Sequence, residues 1–368
     1  MTLSGLSICS VYIEGIEKVN CRRFYFQEGV NAIIGDNGCG KSILIEAIRF
    51  CLSDTEVSIE QSGTLELQIV NPILLQKTSI LSEPLTAEVT FKLSKDSIKS
   101  FRRVIDKDDY FVKSFQIDEK EVSKREYYEE LALLNVYSVE IPYMIPNASW
   151  DKMASATKKD LALLIENIHP DGADIRDEYE QKENALEELE SKSKGTKRIK
   201  KETNNSTQYE KLQKEYEKIK SERQEFFMDS LSSINDTLNK YYQLVYGNDE
   251  KKSVSIQPID SAQAYLGVQF EVDHGYGNLE SKGLSGGESK LLSIAFYLAA
   301  QAAVKTPFVI LDDFDLSLFE KTCEKVAVAL ENVSASTGLQ ICVVCKYDKM
   351  KAGIAKKTDM TPLFPFLR

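Results

Sequence analysis

The sequence predicts an α/β fold with a parallel core sheet and an antiparallel helical hairpin in the middle of the chain. Three observations support this prediction. Short apolar runs alternate with helical stretches in the last third, which is typical of a parallel sheet. A glycine-rich loop joins an apolar run to a helical stretch near the N-terminus, and the middle of the chain is polar with apolar residues at heptad spacing. With 368 residues, of which 42% are hydrophobic, the chain can form a large core.

The first third alternates predicted strands with a single helix. The strands are rich in β-branched and aromatic residues and cover residues 8–13, 30–34, 64–70, 85–93, 101–105 and 110–117. We expect them to form a mixed sheet around a helix at 42–52. A capping box that begins at Ser123 predicts a helix to Leu134, followed by a short strand at 139–145 and further helix from Thr157.

The glycine-rich loop fits the P-loop pattern G-x-x-x-x-G-K-[ST] and lies between the predicted strand 30–34 and the helix 42–52. Its glycines let the backbone curl, so that N–H groups and a helix N-terminus face phosphates. Lys41 would reach the β- and γ-phosphates, and the Ser42 hydroxyl would bind Mg²⁺. The predicted nucleotide-binding residues of this segment are Gly35, Asp36, Asn37, Gly38, Cys39, Gly40, Lys41, Ser42 and Ile43.

Two motifs in the last third complete the pattern of a phosphoryl-transfer site. The apolar strand 308–311 ends in Asp312, whose carboxylate would hold Mg²⁺ opposite Ser42. Asp313 follows as the candidate general base, so we assign catalytic roles to Asp313 and Lys41. An Asp is one methylene shorter than a Glu, and a misplacement of about 1 Å can lower a rate about a hundredfold. A second phosphate-binding surface is expected before the helix 289–303, at Ser285, Gly286, Gly287 and Glu288.

The middle of the chain contains two helical segments with apolar seams. The seam residues are Ile175, Tyr179, Leu186 and Leu189 in the first segment and Tyr209, Leu212, Tyr216, Ile219, Arg223 and Phe226 in the second. The connector 191–207 is polar and contains Gly195, which predicts a flexible loop. Its lysines fit a solvated linker better than a binding site. Facing seams and a short link predict an antiparallel hairpin that projects from the globular body, with an ordinary pair of surface helices as the alternative.

The net charge and the cysteine content argue against several classes of function. A net charge of −11 argues against non-specific DNA binding by the chain as a whole, which requires clustered Lys and Arg. Seven scattered cysteines indicate reduced thiols rather than a disulfide framework. Cys342 and Cys345 are predicted to face opposite sides of a strand at 339–345, which argues against a shared metal. No apolar run reaches the roughly 20 residues that span a bilayer, and a signal peptide is not recognisable, so we expect a soluble intracellular protein.

The combined motifs resemble the ABC ATPases and, within them, the heads of SMC (structural maintenance of chromosomes) proteins. The P-loop is similar to the SMC pattern G-x-N-G-S-G-K-S, and Leu311-Asp312-Asp313-Phe314-Asp315 is similar to L-D-E-h-D. The hairpin between two lobes is the third shared feature. The resemblance covers nearly the whole chain and implies an ABC-type P-loop NTPase head: an N-terminal lobe at 1–165, a short protruding coiled-coil hairpin at 166–245, and a C-terminal lobe at 246–368, with the two lobes forming one globular domain.

The resemblance also implies cofactors and partners. ATP and Mg²⁺ would be sandwiched between the P-loop of one head and the Ser-Gly-Gly element of a second head, in a homodimer or a heterodimer. A kleisin winged-helix domain would bind the head, and DNA would be met through the assembled complex, with no membrane partner. The complex would be associated with chromosomes in a nucleus, or in the cytoplasm of a prokaryote. Residues 175–188 and 263–267 are similar to a cohesin SMC subunit, the one whose head receives the kleisin's C-terminal domain, whereas 311–315 also resembles an SMC subunit of the SMC repair complex.

Departures from the SMC pattern bear on hydrolysis and DNA binding. The family's Mg²⁺-binding glutamine aligns with Asn147, so the resemblance implies Ser42, Asn147 and Asp312 as metal ligands. The catalytic Glu of the family is Asp313 here. The aspartate that makes polar contacts across a head dimer is Phe319, and the segment 53–62 lacks the arginine that many SMC heads place near DNA.

Several alternatives remain at this stage. The coil is too short for a full SMC arm, so the chain is either a head whose arm has been removed and whose lobes are rejoined near Gly195, or a compact relative. A scaffold that binds nucleotide without turnover is favoured by the departures at Asn147, Asp313 and Phe319. An ABC transporter ATPase would carry a histidine after the strand that ends in Asp312, but the chain has no histidine beyond His274.

Overall fold

The structure is a computed structural model that describes most of the chain. The described residues are 6–14, 22–35, 39–53, 57–58, 68–69, 85–94, 96–105, 112–137, 143–145, 150, 156–194, 202–273, 278–280, 283–313, 315, 318–345 and 354–359. Four predicted site residues, Asp36, Asn37, Gly38 and Asn147, lie outside these ranges.

The secondary structure alternates strands and helices at both ends of the chain. The strands are β1 (Ser7–Glu14), β2 (Arg22–Tyr25), β3 (Val30–Ile34), β4 (Val57–Ser58), β5 (Gln68–Ile69), β6 (Leu85–Ser94), β7 (Ser97–Ile105), β8 (Val112–Ile117), β9 (Lys120–Val122), β10 (Met144–Ile145), β11 (Ser253–Pro258), β12 (Val268–Asp273), β13 (Asn278–Glu280), β14 (Phe308–Asp312), β15 (Gln340–Val344) and β16 (Lys356–Asp359). The helices are α1 (Lys41–Leu52), α2 (Lys124–Ala132), α3 (Lys158–Glu166), α4 (Pro170–Lys194), α5 (Glu202–Val245), α6 (Gly286–Val304) and α7 (Glu320–Thr337), with a short 3₁₀ turn at Ala264–Leu266. Among the residues described, no helix is long and apolar enough to cross a membrane.

Two large sheets organise the molecule. A five-stranded parallel sheet has the order β10-β14-β15-β3-β16, and a six-stranded antiparallel sheet has the order β2-β1-β6-β7-β8-β9. A three-stranded sheet (β11-β12-β13) and the pair β4-β5 are smaller. The predicted parallel core is confirmed, but the predicted mixed sheet around the first helix is wrong. The strands of the first third separate because β3 pairs with β15 and β16 of the last third, whereas β1 pairs with β2 and β6.

The parallel sheet is buried on both faces, and alternate residues enter two different core clusters. Phe308, Ile310 and Cys342 face α1 and the six-stranded sheet. Ile341 and Cys345 face the helices α3, α5, α6 and α7. The prediction that Cys342 and Cys345 point to opposite faces is therefore confirmed, and α1 lies between the two large sheets.

The predicted hairpin is confirmed as α4 packed antiparallel on α5. The Tyr179 and Tyr216 hydroxyls are 2.8 Å apart, and Lys182 Nζ lies 2.6 Å from a Glu215 carboxylate oxygen. The predicted 191–207 loop is wrong at both ends, because α4 continues to Lys194 and α5 begins at Glu202. The added turns are rich in Ser, Thr and Asn, which are weak helix formers, so they are helical as extensions of helices that already exist and not because of their own propensity. The 44-residue α5 then continues into the globular core.

Other predicted boundaries shift by a few residues. The expected strand at 139–145 is Met144–Ile145 in the part of the chain that is described, and the expected strand at 101–105 begins at Ser97. The expected helix at 289–303 begins at Gly286. The strands β2, β4, β9, β11, β12, β13 and β16 were not predicted. The strand β12 alternates apolar and polar residues and is the central strand of its sheet, so its sequence carried a strand signal that was overlooked. The strands β4, β9 and β13 have only two or three residues, too few for a periodic signal.

Candidate nucleotide-binding site

The P-loop joins the end of β3 to the start of α1. Gly40 caps the helix with φ of 100°, a left-handed conformation that favours glycine. Lys41 Nζ donates a hydrogen bond to the Gly35 carbonyl at 2.7 Å and lies 3.9 Å from Cys39 Sγ, so the ammonium folds back over the start of the loop. Ser42 is exposed at the helix N-terminus, where N–H groups without intrahelical partners and the helix dipole favour an anion.

The other end of α1 is held by a buried arginine and by tyrosines. Arg103 of β7 is 2% exposed, and its Nη1 donates to the carbonyls of Phe50 and Ser53 at 2.6 and 2.7 Å. The Tyr127 hydroxyl of α2 donates to the Cys51 carbonyl at 2.9 Å. A cation at a helix C-terminus matches the helix dipole, so these bonds satisfy and anchor that end of the P-loop helix. Sequence reasoning missed this anchor, since one arginine in a strand carries no pattern.

The strand β14 brings Asp312 to the edge of the parallel sheet at which β3 delivers the P-loop. The pKa of Asp312 is raised to about 6, mainly by burial and further by the charges of Asp313 and Glu46, while Lys41 opposes the rise. These four charged groups therefore share one site. Sequence reasoning missed Glu46, although its position four residues after Ser42 on the same helix face could have revealed it.

The site has an excess of negative charge that a cation would offset. Within the described residues, no group of three or more His, Cys, Asp or Glu side chains could hold a metal ion by itself. A Mg²⁺ ion at Ser42 and Asp312 would therefore depend on phosphate oxygens as well, which is how Mg²⁺ is commonly held in phosphoryl-transfer sites. The residues present fit Mg²⁺ bound together with a nucleotide rather than a metal ion alone.

The Ser285–Glu288 element forms the start of α6. Ser285 is the N-cap, and its Oγ accepts from the Glu288 N–H at 3.4 Å while the Glu288 carboxylate accepts from the Ser285 N–H at 3.0 Å. Gly286 and Gly287 are the first helical residues, so their N–H groups have no partner inside the helix. A Cβ built at Gly286 would meet nothing within 4 Å, which leaves this helix start open to an approaching group.

The structure brings some of the predicted site residues together and separates others. The strands β3 and β14 bring Lys41 and Asp312 to the same edge of the sheet, where the charge of Lys41 acts on the Asp312 carboxylate. The helices α1 and α6 belong to the two core clusters on opposite faces of the parallel sheet, so the P-loop and the Ser285–Glu288 element start from different sides. Phe319 is the N-cap of α7 and is 87% exposed.

A model of the RecF/RecN/SMC N terminal domain family matches residues 8–362. The chain belongs to this family. Among curated proteins, the Structural maintenance of chromosomes protein 1 of Caenorhabditis elegans is 26% identical over 190 residues, which are 51% of this chain. The match spans only 14% of the length of that relative.

Solved SMC heads share the fold of this SMC-family chain. The Smc head domain of Pyrococcus furiosus, with an extended coiled coil and bound to the C-terminal domain of ScpA, has a TM-score of 0.65 at 18% identity, covering 96% of this chain and 93% of that one. The SMC head domain of Thermotoga maritima has a TM-score of 0.56 at 14% identity, covering 96% and 94%. The Smc head domain with a coiled coil and joint of Pyrococcus yayanosii has a TM-score of 0.55 at 15% identity, covering 96% and 95%. The predicted SMC resemblance and head fold are confirmed.

Proposed function

We propose that this SMC-family head binds ATP with Mg²⁺ at the P-loop and hydrolyses it slowly when a second head engages it across the nucleotide. One observation carries the proposal: the parallel strands β3 and β14 bring Lys41, at the start of α1, and the Asp312–Asp313 pair to the same carboxyl edge of the sheet. A P-loop ammonium beside an acidic pair at a strand end is the arrangement expected of a phosphoryl-transfer site. In this role Ser42, Asp312 and Asn147 hold the metal, residues 35–43 bind the phosphates, and Asp313 is the general base.

The need for a second head follows from the position of the other phosphate-binding surface. Ser285, Gly286, Gly287 and Glu288 begin a helix on the opposite face of the sheet from α1. One chain therefore carries two half-sites, and a partner head would complete each of them. The three-part division into 1–165, 166–245 and 246–368 belongs to this proposal, with the hairpin as the stub or equivalent of an SMC arm.

A cohesin-like complex is the proposed setting. The similarity to an SMC1 protein supports a chromosome-associated role, in a nucleus if the organism has one. The ScpA domain bound to the Pyrococcus furiosus head supports a kleisin winged-helix domain as a partner, and DNA would be contacted through the assembled complex. The second candidate is a nucleotide-binding scaffold without turnover, which the short base Asp313 and the exposed Phe319 favour.

The test is ATP turnover by the chain alone and mixed with a candidate partner head, beside Lys41→Ala and Asp313→Asn. The exposed Lys159 provides a matched control, Lys159→Ala, which removes a charge far from the P-loop in sequence. We expect turnover that appears on mixing, vanishes in both site variants and persists in the control. Nucleotide binding that is lost only in Lys41→Ala, with no turnover in any mixture, would instead establish the scaffold.

A further inference from the structure

Trp150 connects the end of β14 to α6. It is the single tryptophan of the chain and is 2% exposed. Its Nε1 donates a hydrogen bond to the backbone carbonyl of Asp312 at 3.0 Å. Its ring packs edge to face on Tyr297 of α6, with centroids 5.6 Å apart and an interplanar angle of 88°. In the sequence, Trp150 lies five residues after β10, the strand that pairs with β14.

The same peptide unit is also held from the other side. The Asp313 N–H donates to the Val344 carbonyl of β15 at 3.1 Å. Both hydrogen-bonding groups of the Asp312–Asp313 peptide are therefore engaged, the carbonyl by an indole and the N–H by the neighbouring strand. A peptide plane held on both sides resists rotation, so ψ of Asp312 and φ of Asp313 are fixed together.

The backbone that these bonds hold is an unusual one. Asp313 has φ of 47°, in the left-handed region that few non-glycine residues adopt, although Asp enters it more readily than most. Such a conformation persists where surrounding contacts enforce it. Rotation of the peptide would take Asp313 toward an ordinary φ and would redirect its carboxylate.

We infer that Trp150 is a positioning residue, which sets the direction of the Asp313 carboxylate by holding the Asp312 carbonyl. The inference rests on the proposed function, in which Asp313 is the general base. A Phe ring could also pack on Tyr297, but Phe has no hydrogen-bond donor for the Asp312 carbonyl. The indole holds the backbone carbonyl of Asp312, whereas Mg²⁺ would bind the Asp312 side chain, so loss of the indole should lower the rate and leave nucleotide affinity nearly unchanged.

The test uses Trp150→Phe, which keeps an aromatic ring and removes the donor. Ser334→Ala is the matched control, because Ser334 Oγ also donates to a backbone carbonyl, that of Leu339 at 2.6 Å, and is 5% exposed at the opposite end of β15. Amide hydrogen exchange is measured by mass spectrometry on the nucleotide-free full chain, for a fragment that contains residues 308–313. ATP dissociation constants, KM and kcat are measured with the partner head.

For Trp150→Phe we expect exchange at the 308–313 fragment to rise on the order of tenfold and kcat to fall about ten- to a hundredfold, the range expected for a base misplaced by about 1 Å. KM and the ATP dissociation constant should stay within about twofold, as for binding groups that are untouched. Ser334→Ala should change neither the exchange nor kcat.

Two results overturn the inference: unchanged exchange at 308–313 in Trp150→Phe, or a loss of ATP affinity that matches the loss of rate. If the wild-type chain shows no turnover with any head while Trp150→Phe still speeds the exchange, the hydrolytic part of the proposed function fails. The hold of Trp150 on the Asp312–Asp313 peptide is then supported by the exchange data alone.

Discussion

Gln340 of β15 and Ile8 of β1, 332 positions apart in the chain, exchange two hydrogen bonds. The Ile8 N–H donates to Gln340 Oε1 at 2.8 Å, and Gln340 Nε2 donates to the Ile8 carbonyl at 2.9 Å. Nε2 also donates to the Gln27 carbonyl at 2.8 Å, and the Gln340 side chain is fully buried. One amide therefore ties the parallel sheet to the antiparallel sheet, on the same strand that holds the Asp313 N–H.

Replacement of Gln340 by Leu should destabilise the chain strongly. The substitution leaves the Ile8 N–H and the Ile8 carbonyl without this partner in a dry interior, whereas the Gln27 carbonyl keeps the Asn31 amide at 2.6 Å. The expected loss is therefore about 2 kcal/mol, at roughly 1 kcal/mol for each of the two groups. The measurement is the midpoint of urea unfolding. Gln257→Leu is the control, because Gln257 is exposed and bonds only to Ser255 among the contacts described for it, and it should change stability by less than about 0.5 kcal/mol. A Gln340→Leu chain as stable as the wild type would mean that the two sheets do not depend on this amide.

The contrast between Gln340 and the P-loop explains what a single sequence can predict. The P-loop, the acid at the end of β14 and the seams of α4 and α5 are local patterns, and each was found from its spacing. The contacts of Gln340, Arg103 and Trp150 join positions 332, 53 and 162 residues apart, and the sequence contains no periodicity that relates them. Local patterns thus predicted the candidate phosphate-binding and acidic segments, while the groups that hold those segments in place became visible only in the folded chain.

Arg223 of α5 should be essential for the base of the hairpin. It donates to both carboxylate oxygens of Glu166, at 2.6 and 2.9 Å, and lies between the rings of Tyr179 and Tyr265. Among the residues that the structure describes, Arg223→Met leaves Glu166, which is 1% exposed, with Arg176 at 3.9 Å as its remaining ion-pair partner. Removing one partner of a buried pair destabilises a protein by about 3–5 kcal/mol, and we expect the lower end because Arg176 remains. Chemical denaturation measures the loss.

A second substitution tests whether the lost stability comes from the unpaired Glu166 carboxylate or from the aromatic rings that pack on Arg223. Glu166→Leu in the Arg223→Met background removes the buried unpaired carboxylate, so it should recover most of the lost stability. The exposed pair Arg125 and Glu129 provides the control, since Arg125→Met should change stability by less than about 0.5 kcal/mol. If the double variant is no more stable than Arg223→Met, the loss comes from the rings stacked on the guanidinium and not from the carboxylate.

Asp312 should make the nucleotide-free chain less stable as the pH rises. Its pKa in the folded chain is raised from 3.8 to about 6, so its contribution to stability is fully present below about pH 4 and is lost as the pH rises through about 6. The two pKa values correspond to about 3 kcal/mol, which screening at this partly exposed group reduces to about 2 kcal/mol. Between pH 4 and pH 8 the free energy of unfolding of the wild type should therefore fall by about 2 kcal/mol relative to that of Asp312→Asn.

Magnesium binding should act on the same carboxylate in the opposite direction. Mg²⁺ with a nonhydrolysable ATP analogue favours the ionised form of Asp312. Adding the metal and the analogue together should therefore stabilise the wild-type chain more at pH 8 than at pH 5. Asp229→Asn, a change at an exposed position on α5, should behave as the wild type in both series. Equal pH dependence of Asp312→Asn and the wild type would show that Asp312 titrates normally.

The side chain of Phe319 contributes little to the stability of the head in the absence of a partner. It is the N-cap of α7, its side chain makes no capping hydrogen bond, and it is 87% exposed. Asp is a favoured N-cap residue, so Phe319→Asp should raise the free energy of unfolding by about 1 kcal/mol. Val328→Asp, at a 58% exposed position within the same helix, adds the same charge without a cap and should not stabilise the chain. Urea unfolding of the two variants measures the difference.

Phe319→Asp should also weaken the association of this head with a second head, because we expect Phe319 to lie at the interface between them. An exposed aromatic ring at a helix start lacks a stabilising role in the chain alone, and aromatic rings are enriched in the buried centres of protein interfaces. Phe319→Asp should therefore weaken ATP-dependent head association by at least about tenfold, measured by sedimentation with a nonhydrolysable analogue. Val328→Asp should leave association unchanged. A Phe319→Asp chain that is more stable yet associates normally would confirm the cap and exclude Phe319 from the interface.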